Sequence, residues 1–174
     1  IELMQTPCPP LHNPMEYPSL DLPPMGLEPY AAQAKLITAT LKQMVTTAHP
    51  FTGQNAFILG EVGTGKTLIS MAVCEAFSRR HLANTLKKLA AHGVELRPRI
   101  KPLTTILVVR PPHLVADWFD QSAKILPGAE CMVLESVGDV DRAAALPAPP
   151  LGSLPGSGIR FLILSREKAK LGHG

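Results

Sequence analysis

The sequence predicts an α/β fold in three layers, with helices on both faces of a mostly parallel sheet. Three observations lead there. Short β-branched and aliphatic runs alternate with longer stretches whose apolar residues recur at helical spacing. Aromatic residues are scarce, at one Trp, two Tyr and five Phe, which suits an aliphatic parallel sheet better than an aromatic-rich sandwich. Finally, a glycine-rich turn, GEVGTGKT at 60–67, stands where one apolar run ends and a helical pattern begins. With 174 residues the chain is the size of one domain, able to bury roughly two-thirds of its unfolded surface.

The elements follow in order. Residues 1–29 carry eight prolines and read as an extended arm, because proline removes amide donors and resists helix and central strand. Leu20, Leu22, Met25 and Leu27 give the arm something to pack with. From Pro29 to Thr47, Ala34, Leu36, Ile37, Leu41 and Met44 keep helical spacing, and His49-Pro50 ends the run. Ala56–Gly60 is expected as the first strand. A helix opens at Gly65 and passes through Leu68, Ile69, Ala72, Val73, Ala76 and Phe77. It continues or restarts through Leu82, Leu86 and Leu89 until Gly93 stops it. Residues 94–103, with two prolines, read as loop.

Thr104–Val109 (TTILVV) reads as a buried strand, broken by Arg-Pro-Pro, and a helix is expected from His113 to Ile125. Cys131–Leu134 is a short third strand, with Asp139 and Asp141 in a loop beyond it. The low-complexity stretch at 146–158, part of a flexible linker over 143–158, offers nothing to bury. Arg160–Ser165 returns as a fourth strand. This alternation implies right-handed βαβ units.

Charge and cysteine usage narrow the class. The net charge of +3 is too small to argue for nucleic acid by itself. Its concentration over 79–103 says more: Arg79, Arg80, Lys87, Lys88, Arg97, Arg99 and Lys101 stand against Glu95 alone. This basic insertion is either a solvated face or a track for a phosphate backbone. Cys8, Cys74 and Cys131 are widely spaced and odd in number, which fits a reducing, cytoplasmic compartment and no metal site. The six histidines show no ligand spacing either. No apolar run is long enough to span a bilayer, so no membrane partner is expected.

The turn at 60–67 matches GxxxxGK[ST], and each residue type has a reason. Gly60, Gly63 and Gly65 allow angles that turn amides inward and let phosphate approach the bare backbone. Glu61, Val62 and Thr64 contribute their amides to the same nest. The helix start adds unpaired donors and the positive end of its dipole. Lys66 is placed for the β and γ phosphates and the Thr67 hydroxyl for Mg²⁺. ATP with Mg²⁺ is the expected ligand pair, with Lys66 and Thr67 the candidate catalytic residues.

Together, GEVGTGKT and ILVVRPPHLVADWFDQSAKILP resemble motifs I and Ia of superfamily 2 helicases and translocases, especially the Swi/Snf-like group. FLILSREKAK resembles the later strand and Ser/Thr turn of that group, and LEPYAAQAKL its upstream glutamine segment. The resemblance spans residues 27–170 with gaps. It implies a three-layer, RecA-like P-loop NTPase domain in which Gln33 recognises the adenine edge. It further implies that Arg110, Pro111, Pro112 and His113, then Ser165 and Arg166, hold successive phosphates of a nucleic acid, DNA ahead of RNA. From the residues alone, Gln33 also reads as an ordinary surface glutamine and Arg110 and Arg166 as solvated charges. Trp118 reads as a core anchor before a base-stacking platform.

The family places an Asp-Glu pair after the fourth strand for Mg²⁺ and water activation, and no Asp-Glu dipeptide occurs here. A second RecA-like domain is absent too. The chain begins at Ile1 rather than Met, so the domain is expected to be incomplete and part of a longer polypeptide. The expected function is the ATP-binding portion of a nucleic-acid-dependent ATPase, with little turnover by itself. The alternative is a P-loop adaptor or scaffold without helicase activity.

Overall fold

The computed structural model describes residues 18–46 and 55–170. Most of the proline-rich arm, the end of the first predicted helix with His49-Pro50, and Cys8, His12 and His173 lie outside the described residues.

The fold is α/β, with a small open sheet of three parallel strands and six α-helices among the described residues. The strands are β1 (Thr105–Arg110), β2 (Glu130–Leu134) and β3 (Arg160–Ser165). The last strand lies in the middle, so the order is β1-β3-β2. The register pairs Arg110 with Ser165 and Leu134 with Leu164. The helices are α1 (Ala31–Val45), α2 (Lys66–Ala76), α3 (Leu82–Ala91), α4 (Val115–Ile125), α5 (Val137–Ala145) and α6 (Arg166–Lys170).

Alternation along each strand sends neighbouring side chains to opposite faces. Val108, Phe161 and Ile163 meet Trp118 and Ile125 of α4 and Met71 of α2, forming one core cluster. Trp118 is 5% exposed and packs edge-on against Phe161, with ring centres 5.9 Å apart, so it is the core anchor expected of it. A second cluster joins Ile37, Leu41 and Val45 of α1 to Ile69, Ala72, Val73 and Ala76 of α2 and Leu89 of α3. Leu20 of the arm belongs to it, held by its amide donating to Thr38 Oγ1 at 3.0 Å. The arm thus packs through Leu20, with Leu22 and Met25 against the same cluster, while Leu27 stays exposed.

Four expectations need correction. Ala56–Gly60 is not a strand: it pairs with no neighbour among the described residues, and Phe57 and Leu59 are each 95% exposed. A strand exists only through its hydrogen-bonded ladder, and apolar composition cannot supply the partner. The sheet therefore has three strands rather than four.

Asp139 and Asp141 lie on α5, not in a loop. Ser136 caps this helix, and the Asp139 carboxylate accepts from the amides of Glu135 (2.9 Å) and Ser136 (2.7 Å). An ion pair with Arg142 and these donors hold the Asp139 carboxyl well below its ordinary range.

The stretch at 146–158 does bury residues: Pro149, Gly156, Ser157 and Gly158 are all buried. Arg79 donates to the Pro149 carbonyl, and Arg80 to that of Ser153 at 2.9 Å. Gly156 has a φ of +86° and lies so close to Leu126 that an added Cβ would stand 2.7 Å from the leucine Cβ.

The same contacts revise the basic insertion. Four of its cations are engaged within the molecule, since Lys88 pairs with Asp21 at 2.9 Å and Arg97 donates to the Thr46 carbonyl at 2.8 Å, alongside Arg79 and Arg80. Lys87, Arg99 and Lys101 remain exposed.

Candidate functional site

The turn at 60–67 leads into α2, and its conformation follows from its glycines. Gly63 and Gly65 have φ of +85° and +78°, values that a side-chain-bearing residue adopts only with strain. Gly65 is the residue from which the helix starts, and its carbonyl accepts the first helical bond, from Ile69 N at 3.0 Å. The first-turn amides of a helix lack intrahelical acceptors and face outward.

Lys66 folds back over this turn. Its ammonium donates to the carbonyls of Gly60 at 2.9 Å and Glu61 at 2.6 Å. The Thr64 hydroxyl donates to the same Glu61 carbonyl at 2.9 Å. The side chains of Glu61, Val62 and Thr64 are exposed, and Lys66 and Thr67 are half-buried. The lysine is therefore held at the turn by two neutral acceptors, a pairing weaker than one with anionic oxygens. A bound phosphate fits this arrangement, because it offers charged acceptors where carbonyls now serve. Thr67 stands at the second position of α2, with its hydroxyl in the helix's first turn. Among the described residues no group of His, Cys, Asp or Glu could hold a metal by itself.

Gln33 reaches this turn from α1. Its Nε2 donates to the Thr64 carbonyl at 3.1 Å, and its Oε1 accepts from the Tyr30 amide at 2.9 Å. Sequence separation hid this contact, which joins the first helix to the glycine-rich turn.

The remaining candidates gather at the carboxyl ends of the strands, the edge on which open parallel sheets place ligands. Arg110 ends β1 beside Ser165, its register partner at the end of β3. The Arg110 guanidinium is stacked on Trp118, 5.4 Å from the ring centre. Pro111 precedes a single 3-10 turn, Pro112–Leu114, on which Pro112 and His113 are exposed. Ser165 is buried, and its hydroxyl accepts from the Lys168 amide at 3.2 Å. Arg166 is exposed and pairs with Glu167 at 3.2 Å. Lys168 donates to the Glu135 carbonyl at 3.0 Å, adding a cation to the same edge.

One buried group escaped the sequence reading. Glu75 is 1% exposed, in the last turn of α2 at the end away from the glycine-rich turn, with its Oε1 3.3 Å from His81 Nε2. Burial raises the carboxyl pKa, against which a Gly156 backbone donor and the Arg80 charge act. Desolvation, then Arg80 and Lys88, lower that of His81. Burial and Glu75 push the Cys74 thiol up to about 12, so it is no nucleophile at neutral pH. The readable signal was a glutamate lying among Ala72, Val73 and Ala76.

Comparison with models of known protein families finds no match, and comparison with curated proteins finds none either. No helix among the described residues is long and apolar enough to cross a membrane.

Proposed function

We propose that this chain is the ATP-binding portion of a nucleic-acid-dependent ATPase of the superfamily 2 helicase and translocase kind, built on a partial RecA-like domain. The observation that supports it most is the turn at the head of α2, with two left-handed glycines and the Lys66 ammonium held at its carbonyls. In this reading Gly60 to Gly65 cradle the phosphates, Lys66 neutralises them and Thr67 ligates Mg²⁺. Nucleic acid, DNA ahead of RNA, runs past Arg110, Pro111, Pro112 and His113 and on to Ser165 and Arg166. The acidic partner for Mg²⁺ and the second RecA-like domain belong to the remainder of a longer, cytoplasmic polypeptide.

The test is ATP turnover by the intact protein, with and without DNA, beside Lys66→Ala. Turnover raised by DNA and lost in Lys66→Ala is the expected result. Nucleotide binding with no response to DNA or RNA would overturn the motor reading.

A second reading, a P-loop adaptor without helicase activity, draws on one observation. Arg110 and Ser165 already have partners inside the molecule, on Trp118 and at the start of α6. That second result is the one it predicts.

A further inference from the structure

The loop between α3 and β1 is pinned at both ends. The Arg97 amide donates to the Val45 carbonyl at 2.9 Å and the Leu103 amide to the Phe77 carbonyl at 2.8 Å, so the loop runs from the end of α1 to the end of α2. Beside it lies a hollow of about 370 Å³, floored by Met44, Phe77, Ile100 and Leu103 and rimmed by Arg99 and Lys101. No acidic residue lines it. Neither cation has an ion-pair or hydrogen-bond partner among the described residues. Arg99 also holds a φ of +62°, and it is the one residue other than glycine with a positive φ among the described residues. That conformation is unfavourable for a side-chain-bearing residue, and backbone strain of this kind collects at ligand-binding loops.

The chemistry of the hollow selects its occupant. Unpaired cations above an apolar floor suit carboxylates that flank an apolar group. Phe77 is 4% exposed and no other aromatic residue lines the hollow, so no ring face is open to a nucleobase. Exposure alternates along the loop, with Arg99 and Lys101 exposed and Ile100 between them half-buried. An extended segment that reads acidic, apolar, acidic has the same two-residue period, so its apolar side chain can enter while both carboxylates meet the rim.

We propose that this hollow docks an extended acidic segment of a partner protein, with an aliphatic side chain on the apolar floor and its two flanking carboxylates paired with Arg99 and Lys101. The site stands apart from residues 60–67 and needs no nucleotide.

The experiment follows the fluorescence anisotropy of short labelled peptides centred on Glu-Leu-Glu, Gln-Leu-Gln and Glu-Ser-Glu, and of a labelled single-stranded DNA. Each is titrated with the intact protein as wild type, Arg99→Asn, Lys101→Gln and the double variant. Asparagine tolerates the left-handed region, so Arg99→Asn removes the charge and leaves the loop in place, and its melting temperature should not fall. The Glu-Leu-Glu peptide is expected to bind tightest to wild type. Each single variant should weaken it about 2- to 5-fold, the range of an exposed ion pair, and the double variant by more. The Gln-Leu-Gln peptide should bind weakly and equally to all four proteins. Equal binding of the three peptides, no binding of the acidic one, or acidic-peptide binding unchanged in the double variant would overturn the proposal. DNA binding weakened by the same variants, with the acidic peptide unaffected, would make these cations a nucleic-acid track and overturn it as well.

Discussion

The guanidinium of Arg110 lies over the buried ring of Trp118, 5.4 Å from its centre and within cation–π range, so the last residue of β1 is tied to the helix that follows it. The arginine is half-buried and its Nε has no hydrogen-bond partner among the described residues, so the ring contact is the one described for its head group. Trp118→Ala is expected to lose about 3–5 kcal/mol, as large-to-small changes in a packed core do. Arg110→Ala should lose about 0.5–1 kcal/mol, the range of a partly exposed cation–π contact. Urea denaturation of both single variants and the double variant separates the two contributions. Additive losses would show that the stacking carries no energy of its own.

Gly65→Ala attacks the glycine-rich turn twice over. The new methyl meets Gln33 Nε2 at 2.3 Å, and φ of +78° is unfavourable for alanine by about 1–2 kcal/mol. The melting temperature should fall by a few degrees, and under the proposed function nucleotide binding at the turn should be lost. Retained binding would mean that the loop has another conformation open to it.

Stability should carry a pH signature from Glu75. Burial raises its pKa above the ordinary 4.5, so its contribution is fully present below that value. It is lost as pH rises through the elevated folded value. Glu75→Gln should therefore match wild type near pH 4 and become the more stable of the two as pH climbs toward 8. His81 lies 3.3 Å from this carboxylate, so the pH-dependent difference between the two proteins reports the Glu75–His81 pair. Urea midpoints measured across that range decide it, and a difference independent of pH would refute the assignment.

The segment at 146–158 is fixed in place, and Gly156→Ala tests that. The alanine methyl would stand 2.7 Å from Leu126 Cβ and 2.9 Å from the Ala129 amide, at a φ that already disfavours it. A loss of about 2–3 kcal/mol is expected from overpacking and backbone strain together. A neutral effect on thermal unfolding would return this stretch to the status of a loose linker.

What the sequence made legible was local. The β-branched runs at 105–110 and 160–165 announced strands, and α1, α2 and α4 fell within a few residues of their apolar spacing. The turn at 60–67 was legible because its chemistry sits in consecutive residues. The misses were tertiary or compositional. Ala56–Gly60 has the apolar character of a strand, but pairing depends on a neighbour that its own residues do not specify. Helix α5 was hidden by the glycine and two aspartates of VGDVDRAAA, although Ser136 and Asp139 stand at capping-box spacing. The glycine- and proline-rich segment after it looked empty because its anchors, Arg79 and Arg80, lie far back in the chain. Gln33 was ambiguous for the same reason, since its partner Thr64 is distant in sequence.

The placement of β3 between β1 and β2 also bears on how the protein is born. Neither outer strand has any other neighbour in the sheet, so neither has a ladder to join while the ribosome is still short of Arg160. Until then the aliphatic faces of β1 and β2 wait without a template, and closing them requires long loops. The α1–α2–α3 cluster has no such dependence, since its buried residues all precede Ala90. Synthesis thus divides the molecule into an early helical lobe and a sheet that clicks shut at once, late, when its central strand emerges. Released chains truncated before Arg160 should protect the helices from protease and leave residues 105–134 open to it.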